Sequence, residues 1–247
     1  MYGNIMPNSA RNVLALALFA ASYGRATLTN GTFETGNLTG WTSMVSLEPG
    51  TTTYCNNVYA ASSTNVGSCG SLAAPIYGVY DAFASSSVPN NSNPASVWDE
   101  LTQSFTVTPG FSGAKLTFAS TASCSSATDG CGVLAELYLG SCTTCFAQSL
   151  IPLATFTILG EFPGTVAWTS YSENVTSVLQ AHPGATFTLD FVVSSFSDQT
   201  AQPTVQSAAF DDVDIETSPE PATFILLAAG LGGVALLRRR ERTMCGH

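Results

Sequence analysis

The sequence predicts an all-β body, a two-sheet sandwich, on three observations. Short runs alternate apolar and polar residues with the period of a strand. Leu116 and Phe118 stand against Thr117 and Ala119, and Phe187, Leu189 and Phe191 stand against Thr188 and Asp190. Turn pairs punctuate the runs at Pro109-Gly110, Pro163-Gly164 and Pro183-Gly184. The chain is 45% hydrophobic and only 10% charged, and it is rich in Ser, Thr, Gly and Asn, which suits an exported β-protein. Many short strands with turns between them argue for two packed sheets.

Taken in order, the β-like runs are Trp41–Leu47, Thr52–Ala60, Ile76–Ser85, Glu100–Val107, Lys115–Ser120, Val133–Leu139, Ala154–Leu159, Val166–Tyr171 and Thr186–Ser194. A last strand covers Ala208–Ile215, where alternation puts Asp211, Val213 and Ile215 on one face. Val213 and Ile215 then face the core, and Asp211 sits at its rim. One short helix is expected at Glu173–Gln180, with Val175, Val178 and Leu179 on one face. Polar segments at Ser85–Ala95, Gly140–Cys145 and Ser194–Gln206 read as loops. No internal repeat or second core shows, so residues 27–217 read as one domain.

Both ends of the chain are directed at a membrane. Arg11, the apolar Val13–Ala21 and the small residues after it form a secretory signal, residues 1–26, with cleavage placed after Ala26. At the other end, Pro219-Glu220-Pro221 precedes an uncharged run, Ala222–Leu237, and then Arg238, Arg239 and Arg240. Sixteen residues of helix rise about 24 Å, slightly short of a hydrocarbon core of about 30 Å. Snorkelling arginines or a thinner bilayer close that gap. The arginines favour the cytoplasmic side, which leaves the body of the chain outside it.

This tail, residues 218–247, resembles the PEP-CTERM sorting signal of Gram-negative bacteria. The matching residues are Pro219, Glu220 and Pro221, the apolar helix and the Arg238–Arg242 cluster; Ser218 stands where the family often has Val. The resemblance implies recognition and processing by an exosortase, a membrane protease-transpeptidase. The protein would then be anchored in the inner membrane facing the periplasm, and reach the cell surface or extracellular matrix after processing. A plain single-span anchor is the alternative.

Charge and cysteine usage narrow the chemistry. The formal net charge is −10, and Lys115 is the only Lys or Arg between Thr27 and Pro221. Such a surface cannot track phosphates, which excludes nucleic acid as a partner. Six of the seven cysteines, Cys55, Cys69, Cys124, Cys131, Cys142 and Cys145, lie in the exported body. An even count in an oxidising compartment implies disulfides, and sequence alone leaves all fifteen pairings open. Proximity favours Cys55–Cys69, Cys124–Cys131 and Cys142–Cys145.

No active site is legible. His182, the only His in the body, stands in a turn before Pro183-Gly184, away from any nucleophile and base arrangement. Asp99 and Glu100 are adjacent in a strand and point to opposite faces, so they do not flank one glycosidic bond.

The first exported segment carries a second resemblance. Asn30, Gly31, Phe33, Glu34, Gly36, Gly40 and Trp41 are similar to the opening of jelly-roll carbohydrate-binding-type modules with the galactose-binding-like fold. Phe33 and Trp41 read as apolar anchors around a Gly-Asn turn. The resemblance implies that Glu34 and Asp211, with Asp212 in reserve, ligate a structural calcium ion; the alternative is carboxylates that are solvated or accept backbone N–H groups. It also implies glycan binding through exposed aromatics, drawn from Trp98, Trp168, Tyr54, Tyr59, Tyr77 and Tyr80. Two functions follow: a non-catalytic glycan or exopolysaccharide-binding module of the envelope, or a structural surface or biofilm-matrix protein without a specific ligand. An aromatic patch open to solvent discriminates them.

Overall fold

The computed structural model describes residues 26, 28–47, 57–62, 76, 78–88, 95–124, 130–160, 164–197, 204–219 and 230. The signal segment 1–25, Cys55, Cys69, Tyr54, Tyr77 and, apart from Gly230, the tail from Glu220 onward lie outside these residues. Among the described residues there are ten strands: β1 (Thr42–Leu47), β2 (Asn57–Ser62), β3 (Tyr80–Val88), β4 (Ala95–Thr106), β5 (Phe111–Cys124), β6 (Cys131–Leu139), β7 (Ala154–Leu159), β8 (Gly164–Asn174), β9 (Thr186–Ser197) and β10 (Thr204–Pro219). The helix α1 is Thr176–Gln180.

The strands form two five-stranded antiparallel sheets, β1-β4-β9-β6-β7 and β2-β3-β10-β5-β8. The expected all-β sandwich is therefore the fold. Its inner faces meet in one apolar core centred on Phe191, whose ring lies 4.3 Å from Phe210, 5.3 Å from Phe118 and 6.0 Å from Trp41. Full burial of such a side chain stabilises by about 1.5–3 kcal/mol. Alternation holds along β9, where Phe187, Leu189, Phe191 and Val193 all join the core.

Several boundaries move from their expected places. The third strand starts at Tyr80 rather than Ile76, because Gly78 adopts φ 64° and the Val79 and Tyr80 N–H groups are taken by a side chain, Glu34. Strands β3, β9 and β10 reach into the segments read as loops. The helix is shorter than expected. Glu173 and Asn174 pair with Leu116 and Lys115 as the end of β8, and the Asn174 side chain then accepts the Thr176 N–H at 3.0 Å. Strand β10 continues past Thr217, with Ser218 opposite Gly113 and Pro219 opposite Phe111.

One expectation is overturned. Asp211 does not share a face with Val213 and Ile215. The pairing of β10 with β5 slips by one residue between Asp211 and Asp214, a β-bulge in which Asp212 takes φ 50°. Before the bulge Ala208 and Phe210 point into the core; after it Val213 and Ile215 do. Asp211 pairs with Ala119 and so belongs to the outer face, with Ala209.

The segment before β1 closes one end of the sandwich. Phe33 and Trp41 enter the core with ring centroids 5.5 Å apart, as the sequence suggested. Gln103 of β4 holds the segment: its side chain accepts the Thr29 N–H at 2.7 Å and donates to the Thr29 and Gly40 carbonyls at 2.9 and 2.7 Å. On the other sheet the Val213 N–H donates to the Gly31 carbonyl at 2.9 Å. A Cβ on Gly31 would run into the Val213 carbonyl, so the close approach requires glycine there.

Two disulfides form among the described residues. Cys124–Cys131, with Cα atoms 6.3 Å apart, ties the end of β5 in one sheet to the start of β6 in the other. Cys142–Cys145, 5.4 Å apart, closes a small loop after β6. Both are pairings that proximity favoured.

Candidate functional site

Strands β4, β9 and β6 are neighbours, and their outward residues form the floor of the site. Trp98 and Glu100 come from β4, Thr188 and Asp190 from β9, Glu136 and Tyr138 from β6. Cross-strand register sets Glu136 directly opposite Asp190, with Glu100 one diagonal step away. The segment Gly140–Leu153 rises over this floor. It is fastened at its start by Thr188, whose hydroxyl donates to the Gly140 carbonyl at 2.8 Å and accepts the Cys142 N–H at 3.2 Å. It is fastened in the middle by Glu100, whose carboxylate accepts the Phe146 and Ala147 N–H groups at 3.3 and 2.9 Å. At its end the Leu153 N–H donates to Leu137 at 2.7 Å.

Between floor and segment lies a cavity of about 490 Å³, lined by Trp98, Glu136, Tyr138, Phe146, Ala147, Ser149, Leu150 and Pro152. That volume falls within the roughly 300–1,000 Å³ of small-molecule sites. Trp98 meets Phe146 edge to face at 5.9 Å. The Tyr138 hydroxyl donates to one oxygen of Glu136 at 2.5 Å and Thr155 donates to the other at 3.1 Å, which fixes that carboxylate. Ile151, 90% exposed, and the exposed Leu139, Leu150 and Leu153 give the surroundings an apolar rim.

Burial raises the pKa of Glu100, against the hydrogen bonds from Ala147, Asp190 and Phe146 that lower it. Asp190 is raised well above the ordinary carboxylate range by burial first and the charge of Glu100 second. Glu100 already accepts two N–H groups, so it is the better anion, and the pair shares a proton carried on Asp190. Burial, and then Glu136, also raise the Tyr138 phenol, which stays neutral and a donor.

Sequence reasoning placed one of these residues, Trp98, among the glycan-binding candidates. It weighed Glu100 only beside Asp99, and the structure keeps those two on opposite faces. Asp99 points inward, fully buried with neither oxygen hydrogen-bonded, and burial raises its pKa to about 8. Asp190, Glu136, Tyr138 and Phe146 were missed. The available signal was a charged residue at the middle of a strand, in a chain with so few charges.

Two other aromatic candidates, Trp168 and Tyr80, lie elsewhere. Trp168 of β8 is half-buried on the outer face of the second sheet, packed on Phe83 and Ala209. Tyr80 packs against the core and against Gly36.

Two of the three residues expected to hold calcium, Asp211 and Asp212, sit at the β10 bulge. Asp211 is fully buried there and its Oδ1 accepts the Asp212 N–H at 2.7 Å. The Asp212 side chain is exposed. Glu34 accepts the Val79 and Tyr80 N–H groups at 2.8 and 3.0 Å through one oxygen. The residue unforeseen from sequence is Asp81. It is buried, its Oδ1 has no hydrogen-bond partner, and burial followed by the charge of Asp211 raises its pKa to about 7. Among the described residues no three His, Cys, Asp or Glu side chains gather as a metal cluster. A buried carboxylate pair with an orphaned oxygen still fits a calcium ion, which also accepts backbone carbonyls and water. Of the sorting motif, Pro219 is described, as the last residue of β10.

No protein family matches the chain, and no curated protein does. Solved structures resemble it in shape. The K3 cleaved adhesin domain of Lys-gingipain from Porphyromonas gingivalis W83 is 14% identical, with a TM-score of 0.41, over 79% of this chain and 98% of that one. The CBM22-1 xylan-binding domain of Xyn10C from Paenibacillus barcinonensis is 9% identical, with a TM-score of 0.37, over 77% and 93%. The enzymatically active domain of tailspike protein 4 from bacteriophage CBA120 is 13% identical, with a TM-score of 0.41, over 76% of this chain. The chain spans 21% of the tailspike's length.

Proposed function

We propose that this chain is an exported cell-envelope protein whose jelly-roll sandwich binds a glycan, without catalysis, in the cavity between strands β4, β9, β6 and the Gly140–Leu153 segment. One observation carries the reading: Trp98 and Phe146, edge to face, wall a cavity of about 490 Å³ with Tyr138 and Glu136 beside them. Sugars stack their apolar faces on aromatic rings and give their hydroxyls to fixed acceptors such as the Glu136 carboxylate. Trp98 is half-buried and Tyr138 fully so, which makes the site a pocket rather than a flat platform. The structural-protein reading is favoured by a different surface: the exposed row Thr165, Thr169, Ser170 and Ser172 on the edge strand β8.

Export rests on the signal segment and on the likeness of the tail to exosortase substrates. In this reading residues 222–237 span the inner membrane, the exosortase acts near Pro219–Pro221, and the body is released to the surface or matrix. Calcium belongs to the same proposal as a structural ion. Asp211 and Asp81 would hold it, with Glu34 from the adjoining segment, and it would supply the positive charge that this chain lacks there.

The test is a glycan array probed with the purified full chain in detergent, beside the Trp98→Ala variant. Binding to at least one polysaccharide class that Trp98→Ala loses is the expected result. A folded protein that captures no glycan removes the reading. For the ion, chelation should lower the melting temperature, and an unchanged curve would refute the site.

A further inference from the structure

The pocket has an electrostatic peculiarity that narrows its ligand. Three carboxyl groups, Glu100, Asp190 and Glu136, occupy adjacent strands under it. Even with one proton shared by Glu100 and Asp190, the floor of the site stays acidic. Among the described residues no basic side chain lines the cavity, and the sequence can hardly supply one, because Lys115 is the only Lys or Arg from Thr27 to Pro221. Lys115 is exposed on β5 of the other sheet. Buried charge without a partner is costly, and the cost falls when a cation arrives.

A second observation points the same way. Asp190 is 0% exposed, and among the described residues neither of its oxygens has a hydrogen-bond partner of good geometry. Beside it lie the Glu100 carboxylate and the Phe146 N–H, with Glu136 beyond. The site is thus acidic through its depth, while its walls, Trp98 and Phe146, are aromatic. Aromatic faces attract cations as well as sugar rings. A ligand satisfying both wall and floor carries an apolar ring face and a protonated amine together. An amino sugar with a free ammonium group has both features on one ring. A uronic acid would meet the floor with like charge.

We propose that the pocket selects glycans containing de-N-acetylated amino sugars, with the sugar ring against Trp98 and Phe146 and the ammonium directed to Glu136. The inference rests on the glycan-binding reading of the same site and names its substrate class. Glu136 is the specificity-determining group because it lines the cavity, and Tyr138 and Thr155 hold its two oxygens in place.

The experiment compares three hexasaccharides that share a β-1,4-linked glucose backbone and differ at C2: cellohexaose, the N-acetylglucosamine hexamer and the glucosamine hexamer. Calorimetry with the full chain in detergent is run at mildly acidic pH, where the sugar amine is protonated. The glucosamine hexamer should bind about tenfold more tightly than either of the others, the gain of one charge-assisted hydrogen bond. In Glu136→Gln that preference should vanish, so that the glucosamine hexamer binds no more tightly than cellohexaose does to the same variant. In the unmodified protein, which sidesteps any folding defect of the variant, rising salt should erode the preference and leave cellohexaose binding unchanged. Equal affinity for the three sugars, or a preference insensitive both to Glu136→Gln and to salt, overturns the inference and leaves glycan binding standing. Failure of all three to bind, together with a blank glycan array, overturns both.

Discussion

The two outer faces of the sandwich are built from the same parts and differ in what surrounds them. Each carries a half-buried tryptophan and buried carboxyl groups: Trp98 with Glu100, Asp190 and Glu136 on one sheet, Trp168 with Asp81 and Asp211 on the other. On the first face a long segment arches over the strands, gives two N–H groups to Glu100 and leaves a cavity. On the second, Trp168 packs on Phe83 and Ala209, and Asp81 keeps an oxygen without a donor. The difference teaches that residue type alone does not define a site here. On one face two N–H donors hold Glu100 beneath a cavity. On the other the orphaned Oδ1 of Asp81 leaves its carboxyl raised to a pKa of about 7.

The largest effect that would break this comparison is expected at the end closure beside the bulge. Gly31→Ala places a methyl group against the Val213 carbonyl and should cost about 3 kcal/mol, as a steric change at a tight backbone approach. Chemical denaturation measures it; a loss under about 0.5 kcal/mol would mean the closing segment is not held where described. Next in size is the contrast between tryptophans. Trp98→Ala should weaken glycan binding at least about tenfold, roughly 1.4 kcal/mol, whereas Trp168→Ala should change it by less than about twofold. Equal losses would erase the distinction between the faces.

Smaller effects sharpen it through pH. Asp99 and Asp81 have folded pKa values of about 8 and about 7, above an unfolded value of about 3.9. Between those limits the native state holds protons that the unfolded chain has lost. Without metal, the stability these two groups contribute is therefore full below about pH 4 and is lost as pH rises through 7 and 8. Asp99→Asn should flatten part of that fall in a melting series recorded with chelator. Calcium should act in the opposite sense. It must displace the proton from Asp81, so its stabilisation should be larger at pH 8 than at pH 5, by an amount that Asp81→Asn removes. Equal stabilisation at both pH values would count against the Asp81–Asp211 pair.

Much of the architecture was legible because strand periodicity is local. Phe187, Leu189 and Phe191 announce their shared face within five consecutive positions, and Phe33 and Trp41 stand out as anchors beside glycines. The bulge was not legible. Asp211-Asp212-Val213-Asp214-Ile215 alternates well enough to be read straight through, and only the pairing with β5 shows the extra residue. Asp tolerates positive φ better than most residues, so the doubled Asp was the hint. The pocket was hidden for a different reason. Glu100, Glu136 and Asp190 are 36 and 54 residues apart, and nothing short of the order β4-β9-β6 brings them together.

The last strand has a mechanical consequence. β10 lies in the middle of its sheet, hydrogen-bonded to β3 on one side and β5 on the other, and it runs to Pro219. A pull on the polypeptide beyond that proline loads the central strand along its own length. Such a load meets the β5 ladder first and, inward of the bulge, the β3 ladder as well, so it shears a central strand instead of peeling an edge.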